Sequence, residues 1–368
     1  MWKRLIQTLT ETLFRVLAWI YPPVAGPLPK DPKLILVFST TGIGDALFDT
    51  AAIRSLKIAY PRARVVVCAH RKRRSVMMHD PDVDEVVPYG KAPIYAIRLL
   101  GRFRRDLPEL VILLRINEEI VPLGYCINRR ALFGGTWKSG RYTHLLSHGV
   151  SRDERAHILR HGTAISEAAG GAGGVLGMNY SVSEAERAEV TSRFSAWIGK
   201  PFVIFQAGGG KTLSWRDWPV DAYIRTITWL RQVSDLGIVI TGGWDNEETA
   251  SLIEKSCPGV INLCSKTSLE ETAALLPQAT MLVTTDTGVL HLGYALGCPT
   301  LAILHYASPG SLVGPTDLSV GHEVVELPQP ADPDAPRHGA MKNIPDEEVR
   351  QAILRILKRK GIPVLGSA

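Results

Sequence analysis

Two short stretches of the chain carry residue types suited to chemistry on a phosphorylated ligand. The first, Thr284-Thr285-Asp286-Thr287-Gly288-Val289-Leu290-His291, follows the apolar run Met281-Leu282-Val283 and leads into a helical pattern. A strand-to-helix turn of this kind directs unpaired backbone N–H groups and the positive end of a helix dipole at one spot, where phosphate is favoured. Thr287, Gly288 and the local backbone suit direct phosphate contact, whereas Asp286 either caps the helix or holds neighbouring donors in place. His291, one turn into the helix, is either structural or faces the same anion. The second stretch, Ser39-Thr40-Thr41-Gly42-Ile43-Gly44-Asp45, follows Leu34-Ile35-Leu36-Val37-Phe38 in the same way. Asp45 there is either a helix-capping residue or, facing a cleft, a general base for an attacking hydroxyl, a role worth roughly 10²–10⁴ in rate. Gly42-Ile43-Gly44 starts a dinucleotide fingerprint, but Leu47 occupies the third glycine position and the match fails.

Three further groups belong to the same chemistry. Gly208, Lys211 and Arg216 lie in and after the turn Ala207-Gly208-Gly209-Gly210, where cations above a glycine-rich backbone suit diphosphate oxygens. Glu247 or Glu248, after Gly242-Gly243-Trp244, either accepts hydrogen bonds from a ribose or simply opens a surface helix. The run His70-Arg71-Lys72-Arg73-Arg74 reads equally as a solvated basic face or as a site for an acidic acceptor.

The elements that must position these residues follow from hydrophobic patterning. From Leu34 the order is strand, glycine turn, helix (46–60) and strand (65–68), a βαβ unit that requires a parallel sheet. Short apolar runs at 86–89 and 110–114 read as further strands, and 122–130 as helix or loop. Gly170-Gly171-Ala172-Gly173-Gly174 and a polar helix over 183–197 suit a domain connection. Beyond it the alternation restarts, with strands at 202–205, 237–240, 260–263, 281–284 and 300–304. The helices between them fall at 221–233, 247–255, 269–276 and 289–296. The expected fold is α/β, with two Rossmann-like, doubly wound parallel-sheet domains whose turns converge beyond the strand ends on a cleft. The boundaries are an N-terminal helix over 1–30, a first domain over 31–180, a second over 181–345 and a last helix over 346–368. That last helix is free to pack on either domain.

Bulk composition removes several classes. The 368 residues, 45% hydrophobic and 21% charged, suit two globular domains, and no run of eighteen apolar residues offers a membrane span. A net charge of +6 is mild for this length; it accommodates an acidic substrate or anionic surface and does not imply nucleic-acid binding. Five scattered cysteines without a Cys-x-x-Cys suggest buried thiols in a reducing, cytoplasmic setting, with no zinc site. Trp2, Leu5, Ile6, Leu9, Leu13, Phe14, Leu17 and Ile20 recur at helical spacing before Pro22-Pro23. Such an amphipathic helix lies in a membrane interface or packs on its own domain or a second subunit.

Taken together, these residues resemble glycosyltransferase family 9, the heptosyltransferases of lipopolysaccharide core assembly, which have the GT-B fold. In the first half the resemblance rests on Gly44-Asp45 followed by Arg54, Leu56 and Tyr60-Pro61. In the second half it rests on Arg216-x-Trp218-Pro219, Gly242-Gly243, Ile261-Asn262-Leu263, Thr267-Ser268-Leu269-Glu270-Glu271 and Asp286-Thr287-Gly288-x-x-His291 through Ala295-Leu296-Gly297-x-Pro299. It implies inverting, metal-independent transfer of a sugar from a nucleotide sugar, typically ADP-heptose, to a hydroxyl of a core or related saccharide, with no further cofactor. By that resemblance Asp45 is the general base, and Arg216 stands where the family usually has a phosphate-binding Lys. Asp286, Thr287 and Gly288 would hold the donor diphosphate. Gly44 with Arg71, Arg73 and Arg74 would meet an anionic or lipid-linked acceptor, and the N-terminal helix the inner face of the cytoplasmic membrane. Phe48 and Ala51 replace a usual His and Pro, and Tyr306-Ala307-Ser308 a usual Gly-Pro-Thr, so another nucleotide sugar or acceptor stays open. From other classes, an NADP-dependent oxidoreductase and a non-catalytic nucleotide-sugar-binding module are the alternatives.

Overall fold

The computed structural model describes residues 2–115, 120–136, 140–175, 177–194, 200–332 and 335–365, with the side chains of 2–6, 211 and 212 outside that description. The chain divides into two compact units, Met1–Asn179 and Tyr180–Ala368.

The first unit contains strands β1 (Leu34–Ser39), β2 (Arg64–His70), β3 (Glu85–Tyr89), β4 (Leu110–Leu113), β5 (Leu132–Thr136) and β6 (His148–Ser151). Its helices are α1 (Trp2–Ile20), α2 (Ile43–Ala59), α3 (Ser75–Met78), α4 (Pro93–Phe103), α5 (Ile120–Asn128) and α6 (Ile158–Ala168). All strands are parallel, in the order β3-β2-β1-β4-β5-β6. Val37 is paired with Val67 on one side and Ile112 on the other, so β1 is central. A parallel strand buried on both faces must be apolar throughout, which is why Leu34 to Phe38 form one unbroken hydrophobic run. Tyr60, part of the quoted resemblance, ties the end of α2 to the end of α6 through a 3.0 Å hydrogen bond to the Ala169 carbonyl.

The second unit repeats the plan with β7 (Phe202–Gln206), β8 (Gly237–Thr241), β9 (Ile261–Asn262), β10 (Met281–Thr285), β11 (Thr300–Leu304) and β12 (Glu323–Glu326). Its helices are α7 (Glu184–Arg193), α8 (Val220–Val233), α9 (Glu247–Ser256), α10 (Leu269–Leu275), α11 (Gly288–Ala295), α12 (Gly310–Val313) and α13 (Asp346–Arg359). The order β12-β11-β10-β7-β8-β9 matches that of the first sheet once each unit is counted from its own first strand. Ser268 and Glu271 form a reciprocal capping box, which accounts for that part of the family-like sequence as a helix start. The last helix, α13, packs within the second unit: Val349, Ile353 and Ile356 join its core, and Arg355 and Arg359 both pair with Glu323 of β12.

The sequence reading omitted β5, β6, β12, α3, α4, α6 and α12. The segment 122–130, which it left as helix or loop, is the helix α5. The polar helix expected to reach 197 ends at Arg193, and residues 195–199 lie outside the described ones.

Helix α1 uses one side for packing. Phe14, Leu17 and Ala18 lie against the first-unit core, with Phe14 edge-on to Tyr125 at 6.2 Å and to Tyr142 at 6.1 Å. The Tyr125 hydroxyl lies 2.5 Å from the Tyr21 carbonyl oxygen and 3.1 Å from that of Leu17, so it anchors the helix end. Replacing Tyr125 by Phe is expected to weaken α1 docking by about 1 kcal/mol. Amide exchange should then be roughly fivefold faster over α1 and unchanged in β1; equal acceleration in both would make Tyr125 a general stability residue instead.

Candidate active site

In doubly wound sheets ligands sit beyond the carboxyl ends of the strands where the strand order reverses. In the first unit that point lies between β1 and β4, and the residues following these strands are Thr40 to Asp45 and Leu114-Arg115. Asp45 is in the first turn of α2, whose N-cap is Gly42, so it does not cap that helix. Its side chain is 35% exposed, with Arg115 Nη1 at 3.7 Å from its carboxylate. Arg115 in turn donates from Nε to Asp49 Oδ1 at 3.0 Å, and Ser39 donates to the other Asp49 oxygen at 2.7 Å.

Asp49 is fully buried and went unremarked in the sequence reading, as did Arg115. Burial pushes its carboxyl up to about 6; Arg115 and Ser39 pull the other way, and nearby Asp45 adds to the rise. The signal was present in the sequence: an Asp inside the apolar run Ala46-Leu47-Phe48-Asp49-Thr50-Ala51-Ala52 has to find a donor or cation. An arginine directly after the buried strand β4 is the obvious provider.

The basic run after β2 is one strand removed from this point. Arg71, Arg73 and Arg74 are all exposed, but Arg73 donates to the Thr41 carbonyl at 3.1 Å and so reaches the turn that carries Gly44 and Asp45. The structure thus brings Arg73 to that turn, while Arg71 and Arg74 stay at the surface.

The reversal in the second unit lies between β7 and β10, and it gathers most of the expected donor residues. Gly208 has φ +132°, and a side chain there would stand 2.9 Å from Asn246 Nδ2, so the loop after β7 requires glycine at this position. Gly209 packs beside Thr287 and the Asp286 carbonyl. Thr287 is the N-cap of α11 and accepts from the Leu290 N–H at 3.3 Å, leaving the Gly288 and Val289 N–H groups without partners inside the helix. Capping therefore falls to Thr287, and Asp286 has the other role considered for it.

Asp286 is buried and holds Arg216 Nη1 at 2.8 Å, His291 Nε2 at 3.4 Å and the Ser308 hydroxyl. Burial alone would raise its pKa, but His291, Arg216 and Ser308 outweigh it and hold the carboxyl below the usual range. Asp286 is thus an anion that pins a cation beside a helix N-terminus. Arg216 also lies over the Trp215 ring at 4.7 Å, and its buried Nε has no hydrogen-bond partner among the described residues. Glu247 opens α9 and is exposed, and Asp245 and Asn246 just before it border Gly210 and Gly208 of the turn after β7. The Lys211 side chain lies outside the described residues. Among the described residues no group of three or more His, Cys, Asp or Glu side chains is placed to hold a metal ion.

The Asp49 carboxyl provides a direct check on the first-unit geometry. An aspartate in an unfolded chain titrates near about 3.9, so between about pH 4 and 6 the folded state keeps a proton that the unfolded state has lost. The contribution of this group to stability is therefore full below pH 4, declines as pH rises to about 6 and is flat above. Carboxyl-carbon NMR should show a midpoint near 6, and the decline should be missing from denaturation curves of Asp49→Asn. A midpoint below 4 would mean that Arg115 outweighs burial.

Compared with known proteins, the chain is similar to lipopolysaccharide heptosyltransferase 2 of Salmonella typhimurium, with 27% identity over 295 residues that span 75% of this chain and 83% of the relative. Its fold is similar to that of a solved family 9 glycosyltransferase from Veillonella parvula, with TM-score 0.74, 20% identity and coverage of 90% and 98%. It is also similar to that of the Escherichia coli ADP-heptose lipopolysaccharide heptosyltransferase II, with TM-score 0.73, 20% identity and coverage of 89% and 99%. These likenesses identify the fold as GT-B type, built from two Rossmann-like α/β domains. The profile described as glycosyltransferase family 9 (heptosyltransferase) matches residues 123–342, more than half of the sequence. With both sheets built alike and a cation pinned at the α11 terminus, the chain belongs to glycosyltransferase family 9, the heptosyltransferase family.

Proposed function

We propose that this enzyme transfers heptose from ADP-heptose to a hydroxyl of a lipopolysaccharide-core saccharide, by one inverting displacement that needs neither metal nor further cofactor. The observation that carries this reading is the array of Arg216, Asp286 and Thr287 at the start of α11 in a family 9 chain. The family relatives named above supply the donor and acceptor class.

In this reading the second unit holds the donor. The free donors of Arg216, the Thr287 hydroxyl and the first N–H groups of α11 face the diphosphate, and their charge offsets what develops on it as the glycosidic bond breaks. Asp286 keeps Arg216 in place and does not touch the phosphates, since like charges repel. The first unit holds the acceptor. Asp45, partly exposed and beside Arg115, takes the proton of the acceptor hydroxyl while its oxygen attacks the anomeric carbon; the nucleoside diphosphate leaves from the opposite face.

Asp45→Asn is expected to keep ADP-heptose affinity while turnover on a truncated core acceptor falls by about 10²–10⁴. Equal turnover would remove Asp45 from the mechanism. In the same assay a chelator should leave the wild-type rate unchanged, and loss of activity would assign the charge compensation to a metal.

A second part of the proposal concerns the membrane. No helix among the described residues is long and apolar enough to cross a bilayer. The face of α1 opposite Phe14 and Leu17 nevertheless exposes Leu9, Leu13, Val16, Ile20 and, at 84%, Trp19. Helix α4, on the same side of the sheet, exposes Ile94, Ile97 and Leu100, with Arg98, Arg104 and Arg105 close by in sequence and also exposed. Apolar stripes edged by arginines suit the headgroup region of an anionic bilayer, here the cytoplasmic face where a lipid-linked acceptor would be met. The five cysteines are all unpaired, which supports that reducing side. Sedimentation should show binding to vesicles containing phosphatidylglycerol, weakened about tenfold or more by Trp19→Asp with Leu13→Asp. Unchanged binding would exclude this face, and a stable dimer that the variants dissociate would assign it to a second copy.

A further inference from the structure

Trp215, in the loop after β7, carries two cations on its ring. Arg216 lies over it at 4.7 Å and Arg337, from the loop after β12, at 5.6 Å. We propose that Arg337 is a second diphosphate-binding residue of the donor site, set beside Arg216 by the indole that both share. The assignment to a donor rests on the reading given above; the contacts that place Arg337 do not.

An exposed arginine on a loop is ordinarily a solvated charge, but this loop is fastened to the carboxyl end of β11. His305 and Tyr306, the two residues after that strand, each bind one of its carbonyls. His305 Nε2 donates to the Arg337 carbonyl at 3.3 Å, and the Tyr306 hydroxyl donates to that of Ala335 at 3.4 Å. The Ala307 N–H donates to His305 Nδ1 at 3.0 Å, so the ring proton sits on Nε2, as the bond to Arg337 requires. The His305 ring also meets Trp215 edge-on at 4.7 Å, bracing the indole from the same strand end. A few residues beyond Arg337 the chain returns to the second-unit core through Met341 and Ile344. The segment that carries Arg337 is therefore tied on both sides, and the residues that tie it are the ones that position Trp215.

One guanidinium on an indole is favourable, but two on the same ring repel each other unless an anion answers both. Asp286 answers Arg216 at 2.8 Å; Arg337 has no ion pair with a carboxylate among the described residues. Burial, with Arg337 and Arg216, depresses the His305 pKa against the effect of its bond to the Arg337 carbonyl, so this ring stays neutral and leaves the imbalance in place. The proposed reaction has a use for the surplus. The diphosphate gains negative charge as the glycosidic bond breaks, yet Arg216 meets it already partly offset by Asp286, and the start of α11 adds only about half a charge. Arg337 brings a whole charge that nothing else in the described site has claimed.

Calorimetric titration of the full chain with ADP, and with adenosine as the phosphate-free control, tests the residue without using activity. Arg337→Gln removes the charge and keeps the backbone carbonyl that binds His305. It is expected to raise the Kd for ADP about tenfold while leaving that for adenosine unchanged. The salt dependence of ADP binding should become shallower in the same variant, because a charge contact has been lost. In a Trp215→Leu background the further loss from Arg337→Gln should shrink to about twofold, since the shared ring no longer places the guanidinium. Unchanged ADP affinity would overturn the assignment, as would an equal loss for adenosine, which would make Arg337 a structural residue. A loss undiminished without the indole would overturn the part given to Trp215. Arg337-dependent ADP binding in a protein that transfers no heptose would retain the residue and remove the transferase reading; heptose transfer with ADP affinity untouched by Arg337→Gln would do the reverse.

Discussion

A buried carboxylate cannot stand alone in a protein interior, and in each unit of this enzyme that constraint fixes an arginine at the point where the strand order reverses. In the first, Asp49 holds Arg115 with help from Ser39; in the second, Asp286 holds Arg216 with help from Ser308 and His291. Removing either arginine would leave an unpaired charge in the core, a loss of about 3–5 kcal/mol. Each arginine therefore has part of its fork committed to the fold and part without a hydrogen-bond partner among the described residues, Nη2 in Arg115 and Nε in Arg216. A cation pinned in this way is already desolvated and oriented, so binding an anion costs little further reorganisation.

The two arrays differ in a way that suits different partners. Asp286 keeps its charge because three donors surround it, and the pair sits at the N-terminus of α11, where the helix adds positive potential. That combination suits a diphosphate, whose charge grows during bond breaking. Asp49 instead gains a proton near pH 6, with Asp45 one helical turn before it. Protonating Asp49 would release Arg115 to interact more fully with Asp45, so acidity acts on the first array through Asp49.

Much of the framework could be read directly from the chain. The runs that became β1, β2, β7, β8, β10 and β11 are continuous and apolar because central parallel strands are covered on both faces, and the glycine turns after β1 and β7 mark where the chain must pass close to a ligand. The strands that escaped notice have a common cause. β5 contains Gly134-Gly135, which reads as a turn; β6 and β12 are four-residue outer strands, β6 alternating in exposure and β12 only partly buried. Within the site, residues inside turn motifs were legible, because their chemistry depends on local backbone. Arg115 was not, since its meaning comes from Asp49, 66 residues earlier. The role of Asp286 was legible only as a choice, which Thr287 settled by taking the cap.

Helix α1 shows why patterning alone left the choice between internal packing and a membrane open. Phe14, Leu17 and Ala18 form one stripe, buried against the sheet, while Leu9, Leu13, Val16 and Ile20 form a second that faces water. A helix with one apolar stripe has one fate, and a periodicity test sums the two stripes into a single signal. Only the packing separates them: Tyr125 ties down the end of the first, and the second remains uncovered in this unit. Apolar area left in water forgoes about 25 cal/mol per Å², so a stripe of four aliphatic side chains beside a nearly fully exposed tryptophan is retained against a standing cost. Placing that stripe in lipid would recover the cost, and it would hold the first unit, with Asp45 and Arg115, at a membrane surface.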